Sequence, residues 1–124
     1  MFNEVSYSDM NSKQKENYNF AQINARLVGF GFECSWLNND YLGADFIAVG
    51  SQGVLQVQLK SRVTCEQKYS KELIITWIES DGTIYFVPHG ILWDLMASRY
   101  DFTKGWSIAN TPKWLRDALA EYRL

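Results

Sequence analysis

The strongest constraint on the fold lies between Ala44 and Lys60, where two short apolar stretches flank Gly50-Ser51-Gln52-Gly53. From Val54 to Lys60 apolar and polar residues alternate strictly. Leu55, Val57 and Leu59 point one way, and Gln56, Gln58 and Lys60 point the other. A period of two belongs to a strand with one face against a core. The spacing therefore predicts an antiparallel hairpin from Ala44–Val49 and Val54–Lys60. If Gly50–Gly53 closes it tightly, Val49 faces Val54 and Asp45 faces Gln58. Directly opposed residues share a sheet face with Cβ atoms roughly 5 Å apart, and Lys60 follows on that face roughly 7 Å further along. A register shift of two residues sets Lys60 opposite Asp45 instead. Only an odd loop or a bulge would separate the three.

Around this hairpin the pattern alternates between helix and strand. Asn11 with Gln14 three residues later forms a capping-box signature. A helix follows to Val28, with Ala21, Ala25 and Val28 as one stripe and Phe20, Ile23 and Leu27 beside it. Gly29 and Gly31 stop it. Phe32–Leu37 reads as a first strand with a turn at Asn38-Asn39-Asp40. After a polar, lysine-containing stretch, Leu73–Ile78 and Thr83–Val87 form a second hairpin across Ser80-Asp81-Gly82. A short helix follows Pro88, over about Gly90–Arg99. A last helix starts at Thr111-Pro112, with proline in its first position, and runs to the end. The Trp93 and Trp114 helices are expected to cover a sheet face. The order implies an α+β or α/β sandwich around one mixed sheet.

Composition narrows the class. The 124 residues suit one domain, 1–124. With 47% hydrophobic and 21% charged residues the chain is too apolar for disorder. A net charge of −2 excludes a basic protein that coats nucleic acid indiscriminately. No apolar run is long enough for a transmembrane helix, and the polar N-terminal segment has no signal-peptide core. Cys34 and Cys65 lack CxxC partners, which fits free thiols and a cytoplasmic location. Structural zinc is unsupported, because His89 is the one other soft ligand.

An acid, an amide and a lysine on one face of a hairpin have two readings. A carboxylate and an amide carbonyl are hard oxygen donors suited to Mg²⁺, and a neighbouring ammonium can orient water and offset phosphate charge. The other reading is a half-exposed hairpin with a cross-strand Asp–Lys pair, which is common and contributes little.

GADFIA, a short hairpin, then QLK resembles the PD-(D/E)xK nuclease superfamily, which includes many restriction endonucleases and archaeal Holliday-junction resolvases. The resemblance covers about the first 60 residues and the following hairpin. It implies a restriction-endonuclease-like αβββαβ core, a central mixed sheet flanked by helices, and Mg²⁺- or Mn²⁺-dependent hydrolysis of DNA phosphodiesters in a prokaryotic or phage setting. Asp45 would be the metal ligand of the motif, Gln58 would stand at its second acidic position, and Lys60 would be its lysine. The Leu59 carbonyl would be a further metal donor. Gln58 removes a negative charge, and a catalytically degenerate domain that binds nucleic acid or protein is the alternative. Glu16 is the candidate for the acid that many members carry on the first helix; a solvated charge beside Lys13 and Lys15 is its other reading.

Arg62, Lys68 and Lys71 follow the motif as candidate phosphate contacts. With Lys60 they stand against Glu66 alone over residues 54–71, a balance of +3, whereas 1–53 and 72–98 are net acidic. The alternative is a solvated loop. DNA is the expected partner, no membrane is involved, and a homodimer would let a one-domain nuclease cut both strands. His89 is expected to cap a helix, both cysteines to be bystanders, and the five tryptophans to serve core or interface. No GxGxxG, Walker A or nucleophile-elbow pattern occurs.

Overall fold

The computed structural model describes the backbone of residues 1–124 and every side chain except those of Asp40 and Tyr41. Helix α1 (Ser12–Val28) opens the domain. Asn11 caps it reciprocally: Gln14 N–H donates to Asn11 Oδ1 at 2.8 Å, and Asn11 N–H donates to Gln14 Oε1 at 2.9 Å. Strands β1 (Glu33–Tyr41), β2 (Ala44–Gly50), β3 (Gly53–Leu59), β4 (Val63–Glu66), β5 (Ile74–Ile78) and β6 (Ile84–Pro88) follow. Helix α2 (His89–Ala97), strand β7 (Gly105–Ile108), helix α3 (Lys113–Ala118) and a 3-10 turn at Ala120–Tyr122 complete the chain.

Five strands form a mixed sheet in the order β1-β2-β3-β5-β6, and β4 pairs with β7 in a separate ribbon. The β3–β5 pair is parallel, and the others in the large sheet are antiparallel. The fold is thus α+β, a mixed central sheet flanked by helices. The crossover from β3 to β5 carries β4 rather than a helix.

Two cores lie on the two faces of the sheet. On one, Ile23 and Leu27 of α1 are fully buried against Phe46, Ala48 and Val57. Full burial of an Ile or Leu contributes about 1.5–3 kcal/mol, which explains why these residues seat the helix. Ala21, Ala25 and Val28, expected to form one stripe, are exposed, whereas Ile23 and Leu27 beside it are buried: the larger side chains gain more from burial and set the rotation of the helix. On the other face Ile75, Trp77, Tyr85 and Val87 pack with Val63, Cys65, Leu92, Met96 and Leu115. Trp93 and Trp114 pack against this second core, as expected of the helices that carry them.

Three further expectations are corrected. The first turn falls at Leu42-Gly43, with φ of 53° and 89°, while Asn38 and Asn39 lie within β1. Asp40, the third residue of the expected turn, has a side chain outside the described residues. Two successive positive φ angles match a two-residue hairpin turn that follows the strand twist. Strands β4 and β7 were not expected. The last helix is short; after the 3-10 turn Arg123 bridges to Tyr85, and Pro112 is the cap residue before the helix.

Candidate functional site

Strands β2 and β3 have the expected register, Val49 opposite Val54 through Phe46 opposite Val57. The ladder opens there, one step before Asp45 and Gln58. A continued ladder would send the Leu59 N–H to Ala44, but it donates to Asp45 Oδ2 at 2.9 Å. The Lys60 N–H meanwhile donates to the Thr76 carbonyl at 2.9 Å, so β3 stays tied to β5 as it parts from β2. The Gln58 amide donates to the Leu59 carbonyl at 3.4 Å, near the limit for a hydrogen bond. Asp45, Gln58 and Leu59 thus converge at the mouth of an opened hairpin, all partly buried.

Their donors are a carboxylate, an amide carbonyl and a peptide carbonyl. Hard oxygens of this kind suit Mg²⁺ or Mn²⁺, with one formal negative charge among the three. Among the described residues, no group of three or more His, Cys, Asp or Glu side chains has a metal-binding arrangement.

Lys60 stands beside this mouth, its side chain 22% exposed. Its Nζ lies 3.9 Å from Glu66 Oε1, while Lys68 Nζ lies 3.5 Å from Glu66 Oε2. The Glu66 carboxylate is therefore shared between two ammonium groups. Both ammonium groups also lie over the Tyr69 ring, at 5.3 Å for Lys60 and 5.5 Å for Lys68. Burial pushes the Glu66 carboxyl up, but the Tyr69 hydroxyl, Lys60 and Lys68 outweigh it, and the group sits below its ordinary range. Tyr69 also closes on the first turn. A Cβ on Gly43 would stand 3.0 Å from the Tyr69 ring, so the absence of a side chain lets the ring pack beside the strand that carries Asp45.

This architecture has a solved counterpart. A bacterial homing endonuclease, I-Ssp6803I, superposes with a TM-score of 0.58 over 91% of this chain and 86% of its own, at 13% identity. The likeness is one of fold. No family model matches the chain, and no curated protein matches it in sequence.

The remaining candidates fall elsewhere. Glu16 pairs with Lys13 at 2.8 Å, 41% exposed, on the helix that covers the opposite face of the sheet. Lys13 in turn lies over Trp36. Arg62 and Lys71 are exposed on the segment after β3, and Lys68 is engaged by Glu66.

His89 is buried at the start of α2, where its Nε2 accepts the Glu66 N–H at 3.2 Å. Burial lowers its pKa, against the Ser70 and Tyr69 backbone and the Glu66 charge, which raise it. Its role is to tie α2 to β4. Burial raises the Cys34 thiol and lifts Cys65 to about 11. In the second case the Trp106 backbone opposes the shift and Glu66 adds to it.

Sequence reasoning overlooked Glu66 and Tyr69 as members of the site. The available signal was Val63-Thr64-Cys65-Glu66, one more period-two run, only four residues long.

No helix among the described residues is long and apolar enough to cross a membrane.

Proposed function

We propose that the protein is a metal-dependent endonuclease that hydrolyses DNA phosphodiester bonds. The observation that carries this reading is the opened hairpin, in which Asp45 takes the Leu59 N–H beside the Lys60 ammonium. In this reading Asp45, the Gln58 amide oxygen and the Leu59 carbonyl would hold Mg²⁺ or Mn²⁺, which would supply Lewis-acid polarisation of a phosphoryl oxygen and acidification of water. Asp45 is fixed for that task by the Leu59 N–H. Lys60 orients the attacking water and offsets charge on the phosphate. Glu66 and Tyr69 keep the ammonium group in place. Arg62, Lys68 and Lys71 contact flanking phosphates. The shared fold with a homing endonuclease supports the reading.

One observation favours a second reading. Gln58 stands at the expected acidic position and its amide engages the Leu59 carbonyl, as in a domain that kept the fold and lost the metal. Calorimetric titration with Mn²⁺ separates the two. Binding at millimolar or lower concentration that is lost in Asp45→Ala supports the nuclease; a folded wild type that takes up no Mn²⁺ supports the degenerate binding domain.

A further inference from the structure

The ribbon formed by β4 and β7 has two unlike faces. Val63 and Cys65 are fully buried in the second core. The alternate positions bear Thr64 opposite Ser107 and Glu66 opposite Gly105. This second face carries hydroxyls, a carboxylate and a glycine, with no aliphatic side chain. The Thr64 and Ser107 hydroxyl oxygens lie 3.2 Å apart. A Cβ on Gly105 would stand 2.5 Å from the Cys65 carbonyl oxygen and 3.3 Å from Glu66 Cα, so only glycine lets β7 approach β4 this closely. Over the face runs a groove of about 520 Å³ lined by Thr64, Glu66, Lys68, Lys104, Gly105 and Ser107 among others. The Gln67 N–H donates to the Lys104 carbonyl at 2.8 Å, which extends the ribbon past its last ladder pair and sets Lys68 and Lys104 at the same end.

The groove is continuous with the candidate site. Glu66, in its lining, also faces the Lys60 ammonium. Lys60, Lys68 and Lys104 stand against the single carboxylate of Glu66, an excess of positive charge along a floor of hydroxyls. The partly exposed Trp106 lines the groove as well, and much of the lining surface is apolar. The ammonium and hydroxyl groups within it suit a chain of phosphates, which they contact irrespective of base sequence.

We infer that this groove carries the sugar–phosphate backbone of duplex DNA next to the opened hairpin, with Lys104, Ser107 and Thr64 as contacts beyond the Lys60–Lys71 segment. The inference rests on the nuclease reading and extends it. Lys104 and Ser107 are exposed, so substitutions there leave the core intact.

The test is fluorescence anisotropy with a labelled duplex in EDTA, where cleavage cannot proceed, across a series of NaCl concentrations. Lys104→Ala is expected to weaken binding several-fold and to reduce the slope of log affinity against log salt by about 1. Ser107→Glu is expected to weaken binding about tenfold by placing a negative charge against the phosphates. Lys113→Ala is the control, because that lysine lies on α3 and is paired with Asp117. If Lys104→Ala and Ser107→Glu bind like wild type, or Lys113→Ala loses as much as Lys104→Ala, the groove assignment is overturned. Metal-dependent cleavage by the wild type would in that case leave the nuclease reading standing. If the wild type binds no duplex at all, both are overturned.

Discussion

Over β5 and β6, one face of the central sheet presents Ile75, Trp77, Tyr85 and Val87, all buried beneath α2, α3 and the β4–β7 ribbon. Over β2 and β3, the same face presents Asp45, Gln56, Gln58 and Lys60, only partly buried, and beyond them Ile47, Val49 and Val54, none of which is buried. The contact between the halves is intimate, since Gln58 pairs in register with Ile75. Hydrophobic burial holds the first half, and polar groups occupy the second where an apolar face could have continued. A sheet that gives up that burial keeps the positions for chemistry. The opening of the β2–β3 ladder, filled by the Asp45 carboxylate, lies within the polar half.

The contrast can be broken in graded steps. Trp77→Ala, in the packed half, removes a fully buried side chain stacked on Tyr85 at 5.1 Å. It should cost about 3–5 kcal/mol in chemical denaturation, whereas Gln58→Ala should cost less than about 1 kcal/mol. Equal costs would mean that the polar half is structural.

Gly43→Ala probes the join. With φ at 89° and the Tyr69 ring 3.0 Å from the new Cβ, it should destabilise by about 1–2 kcal/mol. Gln58→Glu restores a second carboxylate and should tighten Mn²⁺ binding about tenfold by calorimetry; unchanged affinity would remove Gln58 from the donor set.

The smallest effect concerns pH. His89 is buried with its pKa lowered from 6.5, so the unfolded chain takes up this proton at higher pH than the folded one. Stability should fall as pH drops from about 7 toward 5, and His89→Gln should flatten that limb of the melting temperature. Glu66 has a lowered pKa and acts on a lower limb, its contribution being lost as pH falls through its folded value.

Much of the fold is written locally. The Asn11–Gln14 box, the alternation in β3 and the four-residue turn at Gly50–Gly53 are short-range features, and they yield α1 and the register that sets Val49 opposite Val54 and leads toward Asp45 and Gln58. Strands β4 and β7 escape such reading because each has four residues and finds its partner far along the chain, Thr64 against Ser107. For the same reason Lys60 was legible and its partner Glu66 was not: the first lies in a long alternating run, and the second is brought to it by a distant pairing. The helix stripe was misjudged on side-chain size, since Ile23 and Leu27 outcompete Ala21 and Ala25 for the core.

The most direct test is cleavage of supercoiled and branched DNA with Mg²⁺ or Mn²⁺ by the wild type, Asp45→Ala and Lys60→Ala. Metal-dependent cutting by the wild type is expected, with a loss of at least about 100-fold in each variant and both variants folded. Cutting by Asp45→Ala at the wild-type rate, or a folded, metal-loaded wild type that leaves every substrate intact, would contradict the nuclease reading.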